Sequence, residues 1–126
     1  MSNEFNEFIE RLKDEAEKAI KKELTKRSFF ERIVFAGIMP LIVNIITDKG
    51  SCSLSFLNDG SIQYRKNPFP NPNNVIQADF ETLKKLYSIR NKEQFFLAER
   101  EGKIRITSSG LKGQQAERKI RDLLSS

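Results

Sequence analysis

The residue types able to do chemistry in this chain are few, because its 126 residues include no histidine and a single cysteine. Without histidine the commonest general base and the commonest metal ligand are missing, and so is every Ser-His or Cys-His nucleophile pair. Cys52 cannot close an internal disulfide. It alternates in phase with Leu54 and Phe56, so it reads as a buried, inert thiol in a reducing compartment. Glu99 and Glu101 stand two residues apart, so on a helix they point to different sides and read as solvated charges rather than an acid and base pair. No calcium loop and no thiolate or imidazole cluster is present, so neither a metal nor any other cofactor is expected. Gly110-Leu111-Lys112-Gly113 offers amides and a lysine that would suit a phosphate, but lacks the spacing of a phosphate-binding loop and reads as a turn. The expected protein is not an enzyme.

The elements that must position these residues follow from apolar spacing. Phe5, Phe8, Ile9, Leu12, Ala16, Ala19, Ile20 and Leu24 recur at three and four residues, which predicts an extended N-terminal amphipathic helix. Phe5, Ile9, Leu12, Ala16 and Ala19 also approximate a heptad seam. Glu23 ends that series, so packing on the chain's own body is preferred to pairing with a second copy, and the chain is expected as a monomer or a homodimer. Ser28 and Glu31 form a capping box for a second short helix that Gly37 and Pro40 stop.

Leu41, Val43 and Ile45 alternate with Ile42, Asn44 and Ile46, predicting a central strand buried on both faces. Cys52, Leu54 and Phe56 then face one way, with Ser51, Ser53 and Ser55 facing water. Asn58-Asp59-Gly60 turns the chain into a third strand carrying Ile62 and Tyr64. Residues 67–74 hold three prolines and four asparagines and must be a loop. Residues 75–78 read as a fourth strand, after which Asp79 caps a helix bearing Phe80, Leu83, Leu86 and Tyr87. Asn91 caps the next helix, which displays Phe95 and Phe96 and ends at Gly102. A fifth strand over residues 103–107 turns Ile104 and Ile106 inward, and Ala116, Ile120, Leu123 and Leu124 stripe a terminal helix after Gly110 and Gly113 break the chain.

Charge is unevenly placed. The first 32 residues carry eight basic and eight acidic side chains, so the whole net charge of +5 lies beyond them. Such an excess suits a weak anionic membrane contact, and a solvated face that keeps the chain soluble is the plainer reading. A nucleic-acid surface would set exposed aromatics beside Lys103, Arg105, Lys112, Arg118, Lys119 and Arg121, but Phe56, Tyr64, Phe95 and Phe96 sit on apolar parity. No specific nucleic-acid partner is expected. No basic-then-apolar leader opens the chain, and the run over residues 33–46 is too short to span a bilayer, so a cytoplasmic location is expected.

The pattern from Leu41 to Leu124 resembles the sterol carrier protein type 2 domains. The meander, the Gly60-Ser61-Ile62 turn, Ala78-Asp79 leading into a helix, and Phe95-Phe96 before Gly102-Lys103-Ile104-Arg105-Ile106-Thr107 carry the resemblance. There are departures: Leu97 to Glu101 separate the aromatic pair from the Gly-Lys step, Arg90-Asn91-Lys92 replaces a second such step, and residues 25–40 have no counterpart. The resemblance implies an α+β fold with a five-stranded mixed sheet and helices packed on one face. The chain is read as one structural domain overall, made of an N-terminal helical segment, residues 1–40, packed on the body, and a lipid-binding part like the sterol carrier protein type 2 domains, residues 41–126. The resemblance also implies a non-catalytic role in binding or transferring a fatty acyl or isoprenoid lipid. With the shared inward parity, it assigns Leu54, Phe56, Leu83, Tyr87, Phe95, Phe96, Ile106, Ile120 and Leu124 to the lining of an apolar pocket between sheet and helices. The alternative is a protein-interaction or dimerisation module, such as an accessory subunit of a lipid-modifying complex.

Overall fold

The structure, a computed structural model, describes residues 3–26 and 40–125. The helix expected after Ser28 lies outside the described residues. Five strands, β1 (Leu41–Thr47), β2 (Gly50–Phe56), β3 (Ile62–Arg65), β4 (Asn74–Ala78) and β5 (Ile104–Ser108), form one sheet in the order β3-β2-β1-β4-β5. β1 runs antiparallel to β2 and parallel to β4, while β2 with β3 and β4 with β5 are antiparallel, so the sheet is mixed. Among the described residues four helices accompany it: α1 (Asn3–Lys26), α2 (Phe80–Ile89), α3 (Lys92–Arg100) and α4 (Gly110–Ser125). No described helix is long and apolar enough to cross a membrane.

The period of two sorts the strands into two faces. On the inner face Leu41, Val43, Ile45, Cys52, Leu54, Ile62, Ile76, Ile104 and Ile106 are buried in one core with the apolar stripes of all four helices. The outer face is only partly wet. Asn44 is buried there because its side chain holds the backbone of Phe69 at both ends, accepting from its N–H (3.0 Å) and donating to its carbonyl (2.8 Å). Residues 66–73 therefore cross this face on their way from β3 to β4. Ser53, expected in water, is fully buried beside Asn44, and its hydroxyl has no hydrogen-bond partner among the described residues.

Helix α1 lies along β2. Near its start, the Phe5 ring packs on Gly50, where an added Cβ would come within 2.6 Å of it. Further on, Glu17 Oε2 accepts from the N–H of Ile62, which pairs with Phe56 at the far end of β2 (2.7 Å). Those twelve residues of helix advance about 18 Å, close to the roughly 20 Å that β2 covers. Ala19, expected on the buried stripe, is exposed, while Ile20 beside it still packs against the core. Phe5, Phe8, Ile9, Leu12 and Ala16 are buried, at about 1.5–3 kcal/mol for each of the larger side chains.

Two local expectations are corrected. Asp79 occupies the N-cap of α2 but makes no side-chain cap bond; Asp48 Oδ1, from the β1–β2 turn, accepts from the Phe80 N–H instead (2.9 Å). Gly110 to Gly113 is not a separate turn but the first turn of α4. Gly113 is required there by close packing, since a Cβ would lie 2.3 Å from the Asn73 carbonyl.

Candidate functional site

Of the nine residues assigned to a pocket, Leu54, Leu83, Tyr87, Phe95, Ile106 and Leu124 are buried in the single core, and Phe56 and Ile120 pack against it partly exposed. Phe96 does not face inward: it is 53% exposed. Phe96 stands about 100° around the helix from Phe95, and on this short helix that turns its ring to solvent. On α3 the buried stripe is Phe95 and Ala98, which leaves Phe96 and Leu97 outside. The Tyr87 hydroxyl donates to Glu15 on α1, and Arg90 lies 4.4 Å over its ring while reaching Glu15 at 3.6 Å. Burial and then the Glu15 carboxylate push the phenol up to about 12. Tyr87 is thereby part of the α1 attachment.

Phe95 and Phe96 meet again in a cleft of about 340 Å³ between α3 and α4, with rings edge to face at 6.0 Å. Lys92, Gln114, Glu117, Arg118, Arg121, Asp122 and Ser125 complete its walls. Arg121 organises one wall. Its guanidinium forks onto Glu99 (2.9 and 2.7 Å), donates to Glu117 (3.0 Å) and stands 5.6 Å from the Phe95 ring centre. Glu99 is thus a positioned partner rather than a solvated charge. From Glu117 the network runs inward: Ser108 donates to its other oxygen (2.6 Å), and Asn74 donates to Ser108 (2.9 Å) and to the Gly113 carbonyl (2.9 Å). The Ser108 bond first, and Arg121 second, hold the Glu117 carboxyl below the usual carboxylate range. The Glu117–Arg121 spacing of four was a signal available in the sequence; the link to Glu99, 22 residues away, was not.

A second cleft, of about 450 Å³, opens beside the ends of β1 and β4, among Ile46, Thr47, Asp48, Gln77, Asp79, Lys103 and Arg105. Its walls carry both signs of charge. Cys52 is buried under α1, and desolvation pushes its thiol up to about 12, which keeps it protonated and unreactive at neutral pH.

No family model and no curated protein matches the sequence. Solved structures do. A structure described as "UbiJ-SCP2 Ubiquinone synthesis protein" superposes with a TM-score of 0.61 at 13% identity, covering 95% of this chain and 96% of that one. The fold is that of the sterol carrier protein type 2 domains. A stereoselective inverting sec-alkylsulfatase, Pisa1 from Pseudomonas sp., contains a similar unit, with a TM-score of 0.52 at 16% identity over 75% of this chain and 14% of that one. Sterol Carrier Protein 2 Like 2 from Aedes aegypti aligns over 90% of this chain and 97% of that one, at 14% identity and a TM-score of 0.45.

The departures from the sterol carrier protein type 2 pattern have structural counterparts. The extra turn from Leu97 to Glu101 carries Glu99, the clasp on Arg121. Where a glycine would ease the link between α2 and α3, Arg90 takes the left-handed conformation at φ 52. Its stacking on Tyr87 and its Nε–H bond to the Tyr87 carbonyl (3.0 Å) offset the roughly 1–2 kcal/mol that this backbone costs.

Proposed function

We propose that this protein is a non-catalytic lipid-binding or lipid-transfer module that receives an acyl or isoprenoid chain at the cleft between α3 and α4. The observation that carries the reading is the double position of Phe95, a fully buried core residue that also forms a wall of the cleft. A swing of that one ring would join the cleft to the apolar interior that holds Leu54, Leu83, Ile106 and Leu124. The cleft itself, at about 340 Å³, is at the small end of ligand pockets, so it takes one end of a chain and the core must yield to the rest. Each methylene buried contributes about 0.8 kcal/mol, so a ~12-carbon chain gains about 10 gross and keeps at most about 6 kcal/mol, a Kd of tens of micromolar at best, once at least about 4 kcal/mol of association entropy is subtracted. Calorimetric titration of fatty acids or acyl-CoA of increasing length into delipidated protein is the test. Affinity climbing with length to a plateau supports the carrier reading, and absence of binding at every length rejects it.

Likeness over its full length to a protein named for ubiquinone synthesis adds polyprenyl chains to the ligands worth titrating. It also supports the second reading, an accessory subunit that docks on a partner, for which the exposed Phe96, Leu97 and Leu111 are the available apolar contacts. Native mass spectrometry of the purified protein separates the two: a co-purifying lipid favours the carrier, and a lipid-free dimer favours the docking module.

A further inference from the structure

Among the described residues, the large apolar side chains left exposed are Ile89, Phe96, Leu97 and Leu111, and all four belong to α3, α4 or the end of α2 that leads into α3. The same part of the chain is cationic. Helices α3 and α4 together hold six Lys and Arg against four Asp and Glu, a net charge of +2 with Glu93 and Asp122 among the acidic residues. Arg121 is neutralised by Glu99 and Glu117, whereas Lys92, Arg100, Arg118 and Lys119 are held in no ion pair among the described residues. Helix α1 is amphipathic as well. Yet Phe5, Phe8, Ile9 and Leu12 of its stripe are buried under the sheet. The cleft beside Lys103 and Arg105 has Asp48 and Asp79 among its walls and no exposed large apolar residue.

We infer that the α3–α4 face docks on an anionic lipid bilayer, with Phe96 and Leu97 dipping into the headgroup region and Lys92 and Arg118 over the lipid charges. Charge and apolarity coincide there, and an anionic bilayer complements both. The inference rests on the proposed lipid-binding function and deepens it, because docking in this orientation turns the mouth of the cleft toward the lipid source.

Co-sedimentation of the full chain with vesicles of phosphatidylcholine, and of phosphatidylcholine mixed with phosphatidylglycerol, tests it at low and at high salt. Wild type is retained by the anionic vesicles and released as salt rises. Arg118→Glu, a change of two charges, lowers retention by about thirtyfold, and Leu97→Ser by about tenfold. Lys18→Glu, on the exposed side of α1, changes it by less than about threefold, because that charge faces away from the bilayer. Equal retention on both vesicle types, no retention, or a loss in Lys18→Glu matching that in Arg118→Glu would overturn the inference. So would a dimer in analytical ultracentrifugation that Leu97→Ser dissolves without vesicle binding, since the face would then belong to a second copy. Soluble fatty acid titrations keep the two proposals separate: binding in solution without vesicle retention removes the docking face alone, and vesicle retention without solution binding removes the pocket alone.

Discussion

The helical layer has two ends built on opposite terms. Where α1 meets α2, the rings of Phe5, Phe8, Phe80 and Tyr87 contact edge to face at 5.6–5.8 Å, and the polar links across the seam, Glu15 to Tyr87 and Glu4 to Lys84, only fasten it. Where α3 meets α4, a polar clasp centred on Arg121 holds the helices while Phe96 and Leu97 stay outside and a cleft remains between them. Apolar surface that is buried stabilises the fold. Apolar surface held open by charged clasps is available for a ligand. Under the proposed function, the contrast assigns stability to the α1 end and binding to the α3–α4 end.

The sharpest way to break that contrast is Phe8→Ala, which should cost about 3–5 kcal/mol in urea denaturation, as large-to-small changes at buried aromatics do. A loss below about 1 kcal/mol would make α1 peripheral. Alkaline titration probes the same end. The Cys52 thiol and the Tyr87 phenol are pushed up from 9.0 and 10.0 to about 12, so the fold favours their protonated forms. Their contribution is intact below pH 9 and is lost as pH rises from there to about 12. By the size of these shifts the loss should be on the order of 4 kcal/mol from Cys52 and about 3 kcal/mol from Tyr87. Stability measured against pH should show that limb, and Cys52→Ala should flatten part of it; an unchanged limb in the variant would place its origin elsewhere.

Effects at the other end are smaller. Gly113→Ala forces a methyl against the Asn73 carbonyl and should cost about 1–3 kcal/mol by thermal or urea unfolding. Arg121→Gln removes the fork onto Glu99, and because that group is about 29% exposed the expected loss is only about 1 kcal/mol, with a larger change in acyl affinity than in stability. Phe96→Ser should shift stability by no more than about 0.5 kcal/mol while weakening acyl binding several-fold. A Phe96→Ser protein that unfolds readily, or binds like wild type, would erase the distinction between the two ends.

The strands and the terminal helices were legible because each buries one face, and a period of two or 3.6 survives in the sequence wherever that holds. What was not legible came from contacts between distant segments. Asp48 caps α2 from 32 residues away in place of the adjacent Asp79, and Asn44 and Ser53 are buried because a proline-rich loop happens to cross their face. The width of the α1 stripe is not legible at Ala19, exposed although Ile20 next to it packs against the core, since periodicity records which side of a helix is apolar but not how broad a strip its support covers. In the candidate site, parity places Phe95 in the core, where it lies; it does not tell Phe95 from Phe96, which is exposed, and the role of Glu99 is not legible because its partner Arg121 lies on another helix.

The central claim, that ligand enters between α3 and α4 while α1 stays in place, is tested most directly by amide and methyl NMR of the labelled, delipidated protein titrated with a medium-chain fatty acid. The account predicts that shifts begin at Lys92, Phe95, Phe96, Arg118 and Arg121, spread to Ile106, Ile120 and Leu124 as the chain lengthens, and leave Phe8, Ile9 and Leu12 of α1 unmoved. Shifts that begin in α1 and at Cys52, with α3 and α4 silent, would contradict it.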